Sequence, residues 1–217
     1  MPLQQHGEGE NKVAMRTGNT KRKVLVVDAS VGRAARNKSS QNQVARSCIQ
    51  TLETIRKGHY AIAMSEEIEN EWSGIRKNIS FYASKWLVLM ERRGRVAILE
   101  GTIDLILREN ILEATINPSI KIAIRKDVHL LEAALATDSI IVCRDKKCRK
   151  YFQQAAKKVD VIKPIHWTNP ELPKDDTITW LQSGAPVEAK RQLGYGGNTP
   201  KNTKKKTRKT TKQTDNL

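Results

Sequence analysis

The chain has 217 residues, with 39 Lys+Arg against 23 Asp+Glu for a formal net charge of +16, and 38% hydrophobic residues, enough for one packed core with appendages and too many for a wholly disordered chain. Its longest apolar runs, such as Val24 to Val27, fall far short of the roughly 20 residues of a membrane helix, so no membrane insertion is expected. Three cysteines, Cys48, Cys143 and Cys148, form no Cys-x-x-Cys pair, which argues against a disulfide framework or a zinc knuckle and for a reducing cytoplasm, while the net charge of +16 points to a polyanionic partner, nucleic acid first.

Residues 1–20 have no periodic apolar pattern and read as a flexible leader, whereas residues 21–168 hold nearly all of the Ile, Val and Leu and read as the folded domain. Lys23 to Val27 is a continuous apolar run closed by Asp28, the pattern of a strand buried on both faces. After a turn containing Gly, Ser and Asn, Val44, Cys48, Ile49, Leu52 and Ile55 fall at helical spacing, with Gly58 placed as a C-cap. Tyr60 to Met64 is a second strand. Ser65 is then an N-cap, Glu66 and Glu67 favour the positive end of the helix dipole, and the helix runs through Trp72. Helices are predicted over Tyr82 to Met90, Ile103 to Leu112 and about Ile120 to Ala136, with a weaker strand at Val96 to Leu99. Ser139 to Cys143 is the last buried strand, ending before Arg144 and Asp145. The alternation predicts an α/β fold with a parallel β-sheet flanked by helices. Residues 169–189, with Pro170, Pro173 and Pro186, read as a linker in which Ile178, Trp180 and Leu181 can dock a short turn. Residues 190–217 carry nine Lys/Arg and one Asp and read as a basic disordered tail.

In open parallel sheets, ligands sit outside the carboxyl ends of the strands. Asp28 and Asp145 directly follow apolar runs and are predicted at that edge. Glu66, Glu67, Glu69 and Glu71 lie on the helix after the second strand, and Asp127 lies near the start of the helix leading into the last strand, where it is also placed to cap that helix. Carboxylates suit Mg²⁺ or Mn²⁺, hard cations that prefer oxygen ligands, and such ions can generate a hydroxide nucleophile and stabilise a leaving oxygen in phosphodiester hydrolysis. His59, His129 and His166 have no partner at metal-binding spacing and read as packed or surface imidazoles, while Cys143 and Cys148 read as small apolar groups. Asp138 precedes a strand and belongs to the opposite end.

Four segments, Val24-Leu25-Val26-Val27-Asp28-Ala29-Ser30-Val31, Ser65-Glu66-Glu67-Ile68-Glu69-Asn70-Glu71-Trp72, Asp127-Val128-His129-Leu130-Leu131-Glu132-Ala133-Ala134-Leu135 and Ile141-Val142-Cys143-Arg144-Asp145, resemble in order the signature segments of the PIN-domain nucleases. The resemblance covers roughly residues 21–167. It implies a three-layer α/β/α fold and a Mg²⁺- or Mn²⁺-dependent endoribonuclease acting on single-stranded RNA, with Asp28, Glu71, Asp127 and Asp145 as catalytic metal-binding acids and Glu67 as runner-up to Glu71. Ser30 matches a small polar position that orients the first aspartate. Cys143 departs from the family's usual Thr or Ser two residues before the last acid.

Arg33, Arg36, Arg144 and Lys146 are expected to steer nucleic acid towards the acids, and Lys204, Lys205, Lys206, Arg208 and Lys209 to track phosphates without reading sequence. Trp180 is a candidate for stacking on a base. Further expected partners are an inhibitory antitoxin-like protein and a second copy of the chain. The alternatives are an RNA-binding protein on this fold that does not cut, the toxin of a toxin–antitoxin pair, and a phosphoaspartate receiver module, which residues 21–27 weaken by supplying no acid beside Asp28.

Overall fold

A computed structural model describes residues 22–36, 42–78 and 81–195. Its elements in chain order are β1 (Lys23–Val27), α1 (Ala29–Ala34), α2 (Gln43–Lys57), β2 (Tyr60–Met64), α3 (Glu66–Arg76), α4 (Tyr82–Arg92), β3 (Val96–Ile98), α5 (Leu105–Glu113), α6 (Pro118–Leu135), β4 (Ile140–Val142), α7 (Lys146–Ala155), β5 (His166–Thr168) and α8 (Thr177–Gln182). The five strands form one parallel sheet in the order β3-β2-β1-β4-β5, flanked by helices. The chain steps outwards from β1 through β2 to β3, then returns across β1 to β4. The reversal puts a topological switch point between the carboxyl ends of β1 and β4, where crossovers leave in opposite directions and open a crevice.

Helix ends follow side-chain chemistry. Asn42 caps α2 through the amides of Val44 and Ala45, Ser65 caps α3 through Ile68, and Asn117 with Pro118 opens α6 two residues before the apolar periodicity begins. Four elements exceed the predicted strands and helices, α8 among them, where the sequence suggests only a short docked turn. α1 occupies what reads as a turn, α7 follows Asp145 directly, and β5 adds an edge strand.

The core is filled by Leu25 and Val26 of β1, Ile62 of β2 and Ile141 of β4, with Trp72, Trp86 and Trp167 fully buried. Trp72 and Trp86 stack with centroids 5.8 Å apart, and each indole N–H has a carbonyl partner, Val27 O at 3.0 Å and Leu52 O at 2.6 Å. The bond from Trp72 fastens α3 to the end of β1. Gly32 of α1 lies against the same indole. A Cβ there meets Trp72 and Ile75 atoms at 2.8 Å, which no rotamer change of a buried ring relieves. Gly32→Ala is expected to cost about 1–3 kcal/mol through overpacking, read as a melting temperature lower by several degrees in thermal unfolding.

The segment expected as a linker, 169–189, is instead part of the fold, and so are residues 190–195. Trp180, Leu181 and Leu193 are buried, and burying each such side chain is worth about 1.5–3 kcal/mol. Arg191, also buried, lies over the Trp180 ring at 4.4 Å and donates to Thr168 Oγ1 at 3.2 Å and to the Asp175 carbonyl. Lys23 reaches back to the carbonyls of Gly184 and Ala185 at 2.9 and 2.8 Å. A bridge between His166 and Gln192 covers part of β5, an edge that unpaired strands otherwise expose. Among the described residues no helix is long and apolar enough to cross a membrane. The leader expected at 1–20 and the tail beyond Tyr195 lie outside the described residues.

Candidate active site

Asp28 ends β1 and caps α1. Its Oδ1 accepts from the Ser30 amide at 2.8 Å, its own amide donates to Val142 O at 3.0 Å, and the residue is 7% exposed. Asp145 repeats the device beyond β4. It caps α7, with Oδ1 accepting from the amides of Lys147 at 2.7 Å and Cys148 at 2.9 Å. Because β1 and β4 are neighbours in register, Val27 opposite Val142, both capped aspartates stand at the carboxyl edge of the sheet, at the switch point.

Two helices bring further acids to this edge. Glu71 precedes the tethered Trp72 on α3, and its carboxyl is pushed up to about 7 by burial first and then by the charges of Asp28 and Asp127, with Arg33 opposing. Asp127 is not at a helix start, since Asn117 is the cap; it lies about two and a half turns into α6, so capping does not account for it. Burial first, then Asp28 and Asp145, raise the Asp127 carboxyl above its usual range, while a hydrogen bond from the Cys148 thiol opposes the rise. The charges of Asp28 and Asp127 thus reach Glu71, and those of Asp28 and Asp145 reach Asp127, so acids from separate stretches of chain disfavour the ionisation of these two.

The supporting residues differ in detail from expectation. The backbone amide of Ser30 holds Asp28, whereas the Ser30 hydroxyl accepts from the Arg144 amide at 3.3 Å and so ties α1 to the end of β4. Cys143 Sγ accepts from the Asp145 amide at 3.3 Å, and burial first, then the Asp28 charge, holds its thiol in the protonated form. Cys148 reads from the sequence as a small apolar group, and the structure adds its bond to Asp127. The usable signal was its position three residues after Asp145, on the inner side of a helix opening there.

His129, which reads from the sequence as a packed or surface imidazole, is packed. It is 5% exposed, and burial pushes its imidazole below the usual range despite the pull of Glu67 and Asp28. One ring nitrogen bonds to the Lys126 backbone, while Nε2 is buried without a hydrogen bond, 3.5 Å from Glu71 Oε1. A neutral imidazole presents a lone pair there, which faces the carboxyl that holds its proton near neutrality.

Glu67, the runner-up acid, is committed elsewhere. Burial opposes its ionisation, but bonds from its own amide, Ser65 and Arg108 hold its carboxyl below the usual range, with Arg108 Nη2 at 3.3 Å. Arg108 also pairs with buried Glu132 at 2.7 Å, fastening α5 to α6. Glu69 faces Arg76 at 3.6 Å, and Glu66 is exposed.

Of the basic residues expected near the acids, Arg33 is exposed on α1 and acts on Glu71 through space. Arg36 lies over the Phe81 ring at 5.5 Å. Arg144 is a brace, paired with Glu171 and donating to Ser30 O at 3.1 Å. Lys146 is exposed at the start of α7. Trp180, expected to stack on a base, is buried, with its indole N–H on Pro186 O at 2.9 Å, so it faces no ligand. Lys204, Lys205, Lys206, Arg208 and Lys209 lie outside the described residues.

The donor chemistry at this edge is hard carboxylate oxygen, which suits Mg²⁺ or Mn²⁺ better than zinc, and the repulsion felt by Glu71 and Asp127 is what a cation would relieve. As they stand, no three His, Cys, Asp or Glu side chains among the described residues are grouped closely enough to hold an ion. Comparison of the chain with protein-family models, with curated proteins and with solved structures finds no match.

Proposed function

We propose that this chain is a divalent-metal-dependent endoribonuclease of PIN type that hydrolyses single-stranded RNA. The observation that supports it most is the electrostatic coupling of Asp28, Glu71, Asp127 and Asp145 at the switch point of a parallel sheet, on a chain of net charge +16. A basic protein that gathers acids at one sheet edge has a use for cations there, and a polyanion is the substrate its remaining charge attracts. Mg²⁺ or Mn²⁺ held by these four carboxylates would supply an activated water and a counter-charge for the leaving oxygen. The two N-caps fix the sheet-edge aspartates in position, so little ordering cost remains when they bind. Glu71 would have to be ionised to serve as a ligand, and the buried, unpartnered Nε2 of His129 lies 3.5 Å from its carboxyl. Cys148 steadies Asp127 without adding charge. The resemblance implies 5′-phosphate and 3′-hydroxyl products.

The test is end-labelled RNA incubated with the full chain in Mn²⁺ or Mg²⁺ and in chelator. Metal-dependent internal cleavage is expected, together with a metal-induced rise in melting temperature as carboxylate repulsion is relieved. A second reading, an RNA-binding protein on this fold that does not cut, is favoured by the carboxylates not being drawn together into a ready ligand shell. Binding without cleavage in every metal, and no thermal shift, would establish it instead.

A further inference from the structure

We propose that a groove running from the start of α7 to the C-terminal segment seats the backbone of single-stranded RNA, with Tyr195 stacking on a base. The proposal rests on the reading above and extends it, naming the path the substrate takes away from the acidic edge. The groove encloses about 870 Å³, and its walls include Lys146, Lys150, Lys157, Lys174, Lys190 and Tyr195, with no carboxylate among them. Lys146, Lys150 and Lys157 recur at i, i+4 and i+11, so they line one side of α7 and its C-terminal turn over roughly 16 Å. Lys174 and Lys190 face them from the 3₁₀ turns Pro173–Asp175 and Ala189–Arg191.

Pairing separates two kinds of cation here. Arg149 is matched to Asp175 at 2.7 Å, and Lys190 to Glu188 at 3.2 Å. Among the described residues, Lys150, Lys157 and Lys174 have no ion pair, though all three are exposed and share one groove. Ammonium groups facing one another across a groove repel until an anion lies between them, so charge complementarity names a polyanion. The residues after Tyr195 carry seven more Lys/Arg and one Asp, adding to the positive charge of the chain. A single strand is favoured because Tyr195 is 50% exposed at the groove's far end, and a ring needs an unstacked base face, which a duplex withholds. The near end begins at Lys146, beside Asp145, so RNA lying in the groove reaches the acidic edge.

The test is fluorescence anisotropy of labelled oligouridylate with the full chain in chelator, across a salt series. K150Q/K157Q/K174Q is expected to weaken binding at least about tenfold near physiological salt and to flatten the log–log salt slope by roughly 2, about 0.7 for each phosphate no longer neutralised. Tyr195→Ala is expected to weaken binding about tenfold with the salt slope unchanged, because stacking releases no counterions. All four side chains are exposed, and circular dichroism verifies that the variants fold. Unchanged affinity and slope in the triple variant overturn the groove, and tighter binding of duplex DNA or no effect of Tyr195→Ala overturns the single-strand assignment. Binding in chelator and cleavage in metal are separate readouts, so a chain that binds here without cutting fails the hydrolase test and passes this one.

Discussion

Asp28→Asn and Asp145→Asn are each expected to lower metal-dependent RNA cleavage by roughly 10²–10³-fold or more, the scale on which loss of one transition-state-stabilising group acts, with little change in melting temperature. The separation follows from the double duty of these residues. Each caps a helix through Oδ1, Asp28 for α1 and Asp145 for α7, and an Asn carbonyl oxygen caps as well as a carboxylate. What Asn removes is the charge, which the cap does not require and cation binding does. Alanine at either position is expected to cost about 1 kcal/mol of stability in addition, so cleavage losses in alanine variants would mix two causes. Cleavage of end-labelled RNA measured beside thermal unfolding checks the pair of claims. Asp145→Asn cutting at the wild-type rate would remove that residue from the site.

Glu71→Gln is expected to abolish cleavage and to stabilise the metal-free protein at pH 8 but not at pH 4.5. The folded carboxyl titrates at about 7 against an ordinary 4.5, because burial and the charges of Asp28 and Asp127 favour its neutral form. Below pH 4.5 the group is protonated in both folded and unfolded chains, and its favourable contribution is complete. Between 4.5 and about 7 the unfolded chain releases the proton that the folded chain retains, so stability falls as pH rises, and above 7 the folded site carries the repelling charge. Glutamine is neutral throughout and its amide can donate to the buried His129 Nε2, so the variant escapes this loss. Glu71 is about 30% exposed, and solvent screening tempers the gain to an expected 2–4 °C or so at pH 8, about what 1 kcal/mol gives a chain of this size. Mn²⁺ should raise the melting temperature of the wild type more at pH 8 than at pH 5, since at low pH it must displace protons. A pH-independent difference between wild type and Glu71→Gln would show that neither burial nor the acidic neighbours raise the Glu71 carboxyl.

Much of the fold was legible because local chemistry and long-range packing agree. Val24 to Val27, Tyr60 to Met64 and Ile140 to Val142 are apolar on both faces, as strands covered by helices must be, and the α/β alternation follows from them. The caps at Asn42, Ser65 and Asn117 act within four residues, a range any reading of neighbours covers. α7 was also readable in principle: Cys148, Tyr151, Phe152 and Ala155 recur at i, i+3, i+4 and i+7, but the surrounding Lys, Arg and Gln obscured the stripe. α1 was not readable. It is six residues long with Gly32 inside, and it persists because Asp28 caps it and Trp72 and Ile75 pack against that glycine.

Strand pattern and net charge depend on residue type alone, which is why acids at the ends of apolar strands and a charge that favours a polyanion are readable along the chain. Which acids meet depends on packing between elements. Glu67 and Glu71 are one helical turn apart on α3, and only packing against α5 gives the first to Arg108 and leaves the second with Asp28 and Asp127. Packing also draws 169–195 onto the core, because prolines that signal a linker locally do not register the area that Trp180, Leu181 and Leu193 bury across the chain. Coupling of Cys148 to Asp127 and of His129 to Glu71 likewise depends on how α6 lies against α7 and α3. Interhelical placement is set by the sum of buried area over the whole core, which no window of neighbouring residues contains.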